Sequence, residues 1–131
     1  MGPMGMTANS FTSLSLDPPL VMWAPGLSSK RHDAFVQAAH FCIHVLCADQ
    51  SALASHFATR GDGFEGFGFD VNAKGVPLFD GCAARIECDA YATHPAGDHT
   101  MVVGQVRQVS MQDRAGLAFS QGKFGQFAAF E

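Results

Sequence analysis

Charge is scarce in this chain. Of its 131 residues only 15% are charged, with 8 Lys and Arg against 12 Asp and Glu, for a formal net charge of -4. That balance excludes broad nucleic-acid binding, which needs a basic footprint for the phosphate backbone. Long apolar runs are missing as well: no stretch approaches the ~18 residues of a membrane span, and no basic segment with an apolar core behind it opens the chain. A cytoplasmic protein with no membrane and no nucleic-acid partner is expected. Cysteine is sparse, and Cys42, Cys47, Cys82 and Cys88 show neither C-x-x-C spacing nor the density of a disulfide scaffold, so they read as buried thiols. No G-x-S-x-G elbow marks a nucleophile. His40 and His44, at i and i+4 on a predicted strand, share a face but stand ~13 Å apart, too far for one metal ion. No metal site is expected.

What remains is 47% hydrophobic, with twelve Phe beside one Trp and one Tyr. This is the composition of a compact globular protein, and the length suits one domain, 1–131, with a single core. So few charges also predict a surface partly covered by a partner subunit.

Residues 6–16 are rich in Thr, Ser and Phe and alternate loosely, which predicts a strand with one polar, ligand-facing side. Within it, Thr7-Ala8-Asn9-Ser10 offers small neutral donors and acceptors suited to a polar planar ligand. Asp17-Pro18-Pro19 breaks the pairing, because proline has no donor for a ladder. Leu20 to Trp23 is a short apolar strand ending at the Pro25-Gly26 turn. Lys30 to Ala39 predicts a helix capped by Ser28 or Ser29, and His40 to Leu46 a strand buried on both faces. Asp49 is the expected N-cap of a second helix through Phe57, with Leu53 and Phe57 facing the core.

Arg60 to Gly75, rich in Gly and Phe, predicts an irregular surface loop. Its Gly61-Asp62-Gly63-Phe64-Glu65-Gly66 matches G-x-G-x-x-G, but it follows a helix where a dinucleotide fingerprint follows a strand. Val76 to Phe79 is a short apolar piece. Cys82 to Ala92 and His99 to Val109 are long strand candidates joined at Ala96-Gly97-Asp98. Gly116 to Phe124 supplies a last strand and a Gly-Lys-Phe-Gly turn. Mostly strands with two short helices indicates a small β-barrel.

Two further constellations stand out. Ser28-Ser29-Lys30-Arg31 at a helix start combines hydroxyls, cations and open N–H groups, a natural phosphate cradle; the bland alternative is that the serines cap and the cations lie in solvent. His99, behind Gly97-Asp98 at a hairpin mouth, could reach a pocket or be an ordinary surface histidine.

Gly5-Met6-Thr7-Ala8-Asn9-Ser10-Phe11, followed by Ser13-Leu14-Ser15-Leu16-Asp17-Pro18-Pro19, resembles the signature of the flavin reductase family. The likeness continues through His40-Phe41-Cys42-Ile43-His44-Val45-Leu46, Asp49-Gln50, Leu53-Ala54, Phe57, Gly97-Asp98-His99 and Phe119-Ser120-Gln121-Gly122-Lys123-Phe124-Gly125. It implies a mainly β, FMN-binding split barrel of Greek-key-like order with two short helices. The implied activity is an NAD(P)H-dependent flavin reductase that moves a hydride from nicotinamide to FMN or FAD, with NADH or NADPH as co-substrate. A homodimer that supplies reduced flavin to a monooxygenase is implied too. By the same resemblance Thr7 to Ser10 lie along the flavin, Ser28 to Arg31 approach its phosphate, His99 meets the nicotinamide nucleotide, and Lys123-Phe124 close the barrel near the site. No catalytic acid, base or nucleophile is obligatory. His44 departs from the family, standing where many relatives have asparagine. Relatives also carry a helix and a first barrel strand ahead of the Thr-Ala-Asn-Ser segment, so a shortened chain lacking that strand is an expectation. The alternative function is a flavin-binding module without reductase turnover, and a third is a folded remnant without ligand.

Overall fold

The computed structural model describes residues 2–130. The chain forms two compact units: one takes the residues up to Thr7, His44–Arg85 and those from Ser110 on, and the other takes Ala8–Ile43 and Ile86–Val109. The elements in order are β1 (Thr12–Leu16), β2 (Pro19–Trp23), α1 (His32–Gln37), β3 (His40–Val45), α2 (Ser51–Thr59), a 3₁₀ turn (Phe64–Gly66), β4 (Phe69–Val71), β5 (Pro77–Phe79), β6 (Ala84–Ala96), β7 (His99–Met111), β8 (Leu117–Ser120) and β9 (Lys123–Gln126). One five-stranded sheet runs β1-β2-β7-β6-β3, and β4-β5 and β8-β9 are separate pairs. Among the described residues no helix is long and apolar enough to cross a membrane.

The second unit is built on β2 and β7, whose antiparallel register sets Trp23 opposite Val102 and Val21 opposite Gly104. Opposed residues share a face of the sheet, and Val21, Trp23, Val102, Phe41 and Cys88 are all buried. Helix α1 packs Phe35 edge-on against Trp23, with ring centroids 5.4 Å apart. Gly104 is what allows the Phe41 ring to lie on β7: a Cβ there would stand 2.5 Å from Phe41 Cζ and 2.9 Å from Cys88 Cβ. Cys88 is a core thiol, pushed up to about 12 mainly by burial and then by Asp89. On the same strands a bracket crosses β3, β6 and β7, in which His40 Nδ1 lies 2.7 Å from Asp89 Oδ1 and Arg107 Nε donates to Asp89 Oδ2 at 2.7 Å. Arg107 first, and His40 after it, hold the Asp89 carboxyl below its usual range.

The first unit is organised around phenylalanine. Leu53, Phe57, Phe64, Phe79 and Cys82 form a buried cluster with Leu46, Phe67 and Phe69 against it. Phe64 and Phe79 stack with an interplanar angle of 12° and centroids 5.2 Å apart. Leu53 and Phe57 come from the core face of α2, as their spacing predicts. The residues from Arg60 to Gly75 depart from expectation in part. Gly63 takes a left-handed φ of 80°, turning the chain so that Phe64 drops into the cluster, and β4 pairs with β5 through Phe69↔Phe79. The stretch is mostly irregular and exposed as predicted, but it buries Phe64 and packs Phe67 and Phe69 against the cluster, because its apolar residues are spaced by turns that no regular period describes.

Other boundaries also move. Strand β1 starts only at Thr12, and residues 7–10 are irregular. Helix α1 spans six residues rather than ten and has no side-chain cap. In β3 Phe41 is buried while its neighbours are half-buried, so that strand is not covered on both faces. The N-cap of α2 is Gln50 rather than Asp49; the Gln50 side chain accepts from Cys47 N–H at 2.8 Å and donates to the Asp80 carbonyl at 3.0 Å. The terminal hairpin turns at Gln121-Gly122, both at positive φ, which puts Lys123 and Phe124 on β9 and not in the turn.

Gly104→Ala is expected to cost about 1–3 kcal/mol, the usual penalty for forcing a methyl into a filled core. Gly125→Ala, where a Cβ would meet nothing within 4 Å, serves as its control in urea unfolding. Equal midpoints for the two variants would show that the Phe41 ring moves aside freely.

Candidate functional site

The sequence singled out Thr7, Ala8, Asn9, Ser10, Ser28, Ser29, Lys30, Arg31, His99, Lys123 and Phe124. Thr7, Lys123 and Phe124 fall in the first unit and the others in the second.

In the second unit the structure brings two of the predicted groups together. Past the end of β2 the ladder to β7 continues into the turn: Thr100 N–H donates to the Pro25 carbonyl at 3.0 Å, Leu27 N–H to the Asp98 carbonyl at 2.9 Å, and Gly26 bridges His99. The segment 28–31 is therefore fixed against the Gly97-Asp98-His99 hairpin. Within it, Ser29 N–H donates to the Gly26 carbonyl and His32 N–H to the Ser29 carbonyl, while Arg31 N–H donates to Ser29 Oγ at 3.1 Å. This corrects the predicted cradle. Helix α1 begins one residue after Arg31 and is too short to supply much of a dipole, and Ser29 spends its hydroxyl closing the turn. What the turn leaves open is the N–H of Ser28 and of Lys30, neither of which has a partner among the described residues. Lys30 is exposed and Arg31 half-buried, so an exposed cation stands at the two open donors.

His99 is the other half of this cluster. Its Nδ1 lies 2.7 Å from Asp98 Oδ1, and the proximity of His99 holds the Asp98 carboxyl below its usual value. An ionised carboxylate only accepts, so Nδ1 carries a proton and Nε2 is the nitrogen left for another partner. A Cβ at Gly26 would stand 3.7 Å from that Nε2.

Sequence reasoning missed His32. It is buried, with Nδ1 2.8 Å from Asp33 Oδ1 and Nε2 2.7 Å from Thr100 Oγ1. Only the adjacent Asp hinted at a held imidazole.

In the first unit, Thr7 is an anchor. Its N–H donates to the Phe57 carbonyl at 3.0 Å and its Oγ1 to the Ala54 carbonyl at 2.6 Å, while Gly5 N–H donates to the Gly61 carbonyl. The Phe57 carbonyl lies in the last turn of α2, where no intrahelical donor follows. The hydroxyl proton of Thr7 is thus committed inside the protein. The adjoining Ala8, Asn9 and Ser10 are exposed, and the side chains of Asn9 and Ser10 make no hydrogen bond among the described residues. Lys123 is exposed on β9, and the Phe124 ring lies 5.2 Å from Phe119, centroid to centroid. His44 does not replace an asparagine amide with a free imidazole: its Nε2 accepts the Phe79 N–H at 3.0 Å, and its ring meets that of Phe79 edge-on.

The sequence profile described as "Flavin reductase like domain" matches residues 1–128. The "FMN reductase (NADH) SmoA" of Agrobacterium fabrum is 51% identical over 127 residues, 97% of this chain and 73% of that protein. The "Flavin-dependent monooxygenase, reductase subunit HsaB" of Rhodococcus jostii is 32% identical over 93% of this chain and 64% of its own length. Among solved structures, the NADH:FAD oxidoreductase SgcE6 of Streptomyces globisporus in complex with NAD and FAD fragments superposes with a TM-score of 0.89 at 38% identity, covering 97% of this chain and 79% of that one. The mainly β split-barrel class expected from the sequence is the class of these structures.

Thr7→Val, which keeps the shape and removes the hydroxyl, is expected to lower stability by about 1 kcal/mol, while Thr7→Ser stays near wild type. Chemical denaturation measures both. An unaffected Thr7→Val would mean that the bond to Ala54 carries no weight.

Proposed function

The chain belongs to the flavin reductase like domain family, and from that premise we propose how its own residues serve the activity. The protein is an NADH-dependent flavin reductase that accepts FMN or FAD. Bound flavin supplies the chemistry, since its ring nitrogen N5 accepts the hydride that leaves C4 of the reduced nicotinamide. The protein's task is to hold two planar partners with the reacting atoms about 3–3.5 Å apart. No side chain has to give or take a proton for the hydride to move.

The residues fit such a ligand. Asn9 and Ser10 offer uncommitted neutral polar groups to the edge of the ring system and the ribityl chain. The open N–H groups of Ser28 and Lys30, with the Lys30 and Arg31 cations, suit a phosphate. Thr7 acts as the anchor from which Ala8 to Ser10 depart and does not donate to flavin. His99, with Nδ1 engaged by Asp98, offers Nε2 to the nicotinamide nucleotide. The observation that carries this reading is the continuation of the β2–β7 ladder into the 26–31 turn, which gives the cations and His99 a common backbone support.

Reduced flavin passes to an oxygenase component, the arrangement named for the R. jostii relative. We assign the protein to the cytoplasm, where NADH is made, and to a homodimer. In the first unit the exposed side chains of Met111, Phe127 and Phe130 are apolar area for such a dimer to bury.

NADH oxidation with and without added FMN, FAD or riboflavin tests the reading. A protein that binds flavin yet never oxidises NADH would be the binding module instead. Lys30→Ala is expected to weaken FMN about fivefold, the ~1 kcal/mol of an exposed ion pair, and to leave riboflavin, which has no phosphate, nearly unchanged. Identical weakening of the two would remove Lys30 from the phosphate. His99→Ala is expected to raise KM for NADH about tenfold, the loss of one hydrogen bond to a charged partner, with little effect on flavin affinity. Equal losses for both ligands would make His99 a structural residue.

A further inference from the structure

Among the described residues His32 is the buried polar side chain, and nothing in the hydride transfer calls for it. Burying an imidazole is costly unless both nitrogens are satisfied. Here both are, by Asp33 Oδ1 at 2.8 Å and Thr100 Oγ1 at 2.7 Å. Asp33, as a carboxylate, can only accept, so Nδ1 carries the proton, and in the neutral ring Nε2 accepts the Thr100 hydroxyl. Both ring nitrogens are thus engaged, one on each side of the imidazole.

The position of this bond is what gives it a meaning. His32 follows Arg31 directly, and Thr100 follows His99 directly. The bond spans 68 positions in sequence and joins the residue after the turn's second cation to the residue after the nucleotide histidine. The other ties between turn and hairpin, Leu27 to Asp98 and Thr100 to Pro25, are backbone bonds at the near end of the turn. At the far end α1 packs Phe35 on Trp23 of β2, and the His32–Thr100 bond adds a side-chain hydrogen bond from the start of α1 directly to β7.

We infer that His32 is a positioning residue that locks the cation-bearing 28–31 turn and the His99 hairpin into one clamp, so that a single side chain sets affinity for the flavin phosphate and for the nicotinamide nucleotide together. This rests on the flavin reductase reading. It distinguishes His32 from Lys30, whose loss weakens FMN, and from His99, whose loss weakens NADH. A purely structural His32 would lower the melting temperature and the folded fraction while the folded protein kept its affinities.

The test uses His32→Ala, Thr100→Val, the double variant and Thr100→Ser. FMN and riboflavin binding are followed by flavin fluorescence, with steady-state KM and kcat for NADH alongside. Thr100→Val keeps the side-chain shape, so it carries the test if His32→Ala does not fold. The expected result is that Thr100→Val weakens FMN and raises KM for NADH by about fivefold each, with riboflavin binding and kcat changed by about twofold or less. Thr100→Ser should restore both affinities, and the double variant should be no worse than His32→Ala, because the two residues act through one bond. The inference is overturned by a folded Thr100→Val with unchanged affinities, by loss toward only one of the two ligands, or by losses that multiply in the double variant. A wild-type protein that neither binds flavin nor oxidises NADH in its presence overturns the functional reading and this inference together, whereas a wild-type enzyme with unaffected variants overturns this inference alone.

Discussion

The pairing of β2 with β7 does not end where the strands do, and the arrangement of the candidate site in its unit depends on that continuation. Leu27 and Thr100 donate across to Asp98 and Pro25, so the segment carrying Lys30 and Arg31 is supported by main-chain bonds and not by its own helix. One consequence is an alternation of roles. The N–H groups of Leu27, Ser29 and Arg31 are engaged, while those of Ser28 and Lys30 between them stay open. The two open donors belong to a turn held by its neighbours' main-chain bonds, with no long helix behind it. Helix α1, six residues long, contributes little dipole to these residues.

Unequal legibility follows from the same physics. The Gly97-Asp98 hairpin was readable because a two-residue loop needs positive φ, and Gly97 adopts it. Leu53 and Phe57 were readable because i and i+4 on a helix share a face. Phe64, Phe67 and Phe69 were not, since their burial depends on Gly63 turning left-handed and on β4 pairing with β5, neither of which leaves a period in the sequence. His32 was hidden by its neighbours. In a run of helix formers rich in charge a histidine belongs by default on the surface, and only a partner 68 positions away makes it an interior residue.

Thr7 shows how a motif can be right and its parts misassigned. The Thr-Ala-Asn-Ser segment was expected within a strand with one polar, ligand-facing side. It is irregular instead, and its first residue turns inward to give both its N–H and its hydroxyl to carbonyls of α2. Anchoring has its own value to a site, because side chains that must meet a ligand without rearranging need a fixed point of departure. The hydroxyl of Thr7 is such a fixed point, bonded to the Ala54 carbonyl, while Asn9 and Ser10 stay exposed.

Three histidines of the second unit each lean on a carboxylate: His32 on Asp33, His40 on Asp89 and His99 on Asp98. The pairs resemble one another chemically, and exposure separates them, with histidine side chains 10%, 30% and 50% accessible in that order. His32 has its second nitrogen bonded within the fold, and the partner of His40 is also bound by Arg107, which makes that pair part of a cross-strand bracket. His99 alone of the three is half open to solvent beside a backbone without a Cβ to cover it. A reaction in which the hydride passes directly between two bound rings asks nothing of these groups as acids or bases. Among the three, the two less exposed are those bonded further within the fold, and His99 is the one left half open.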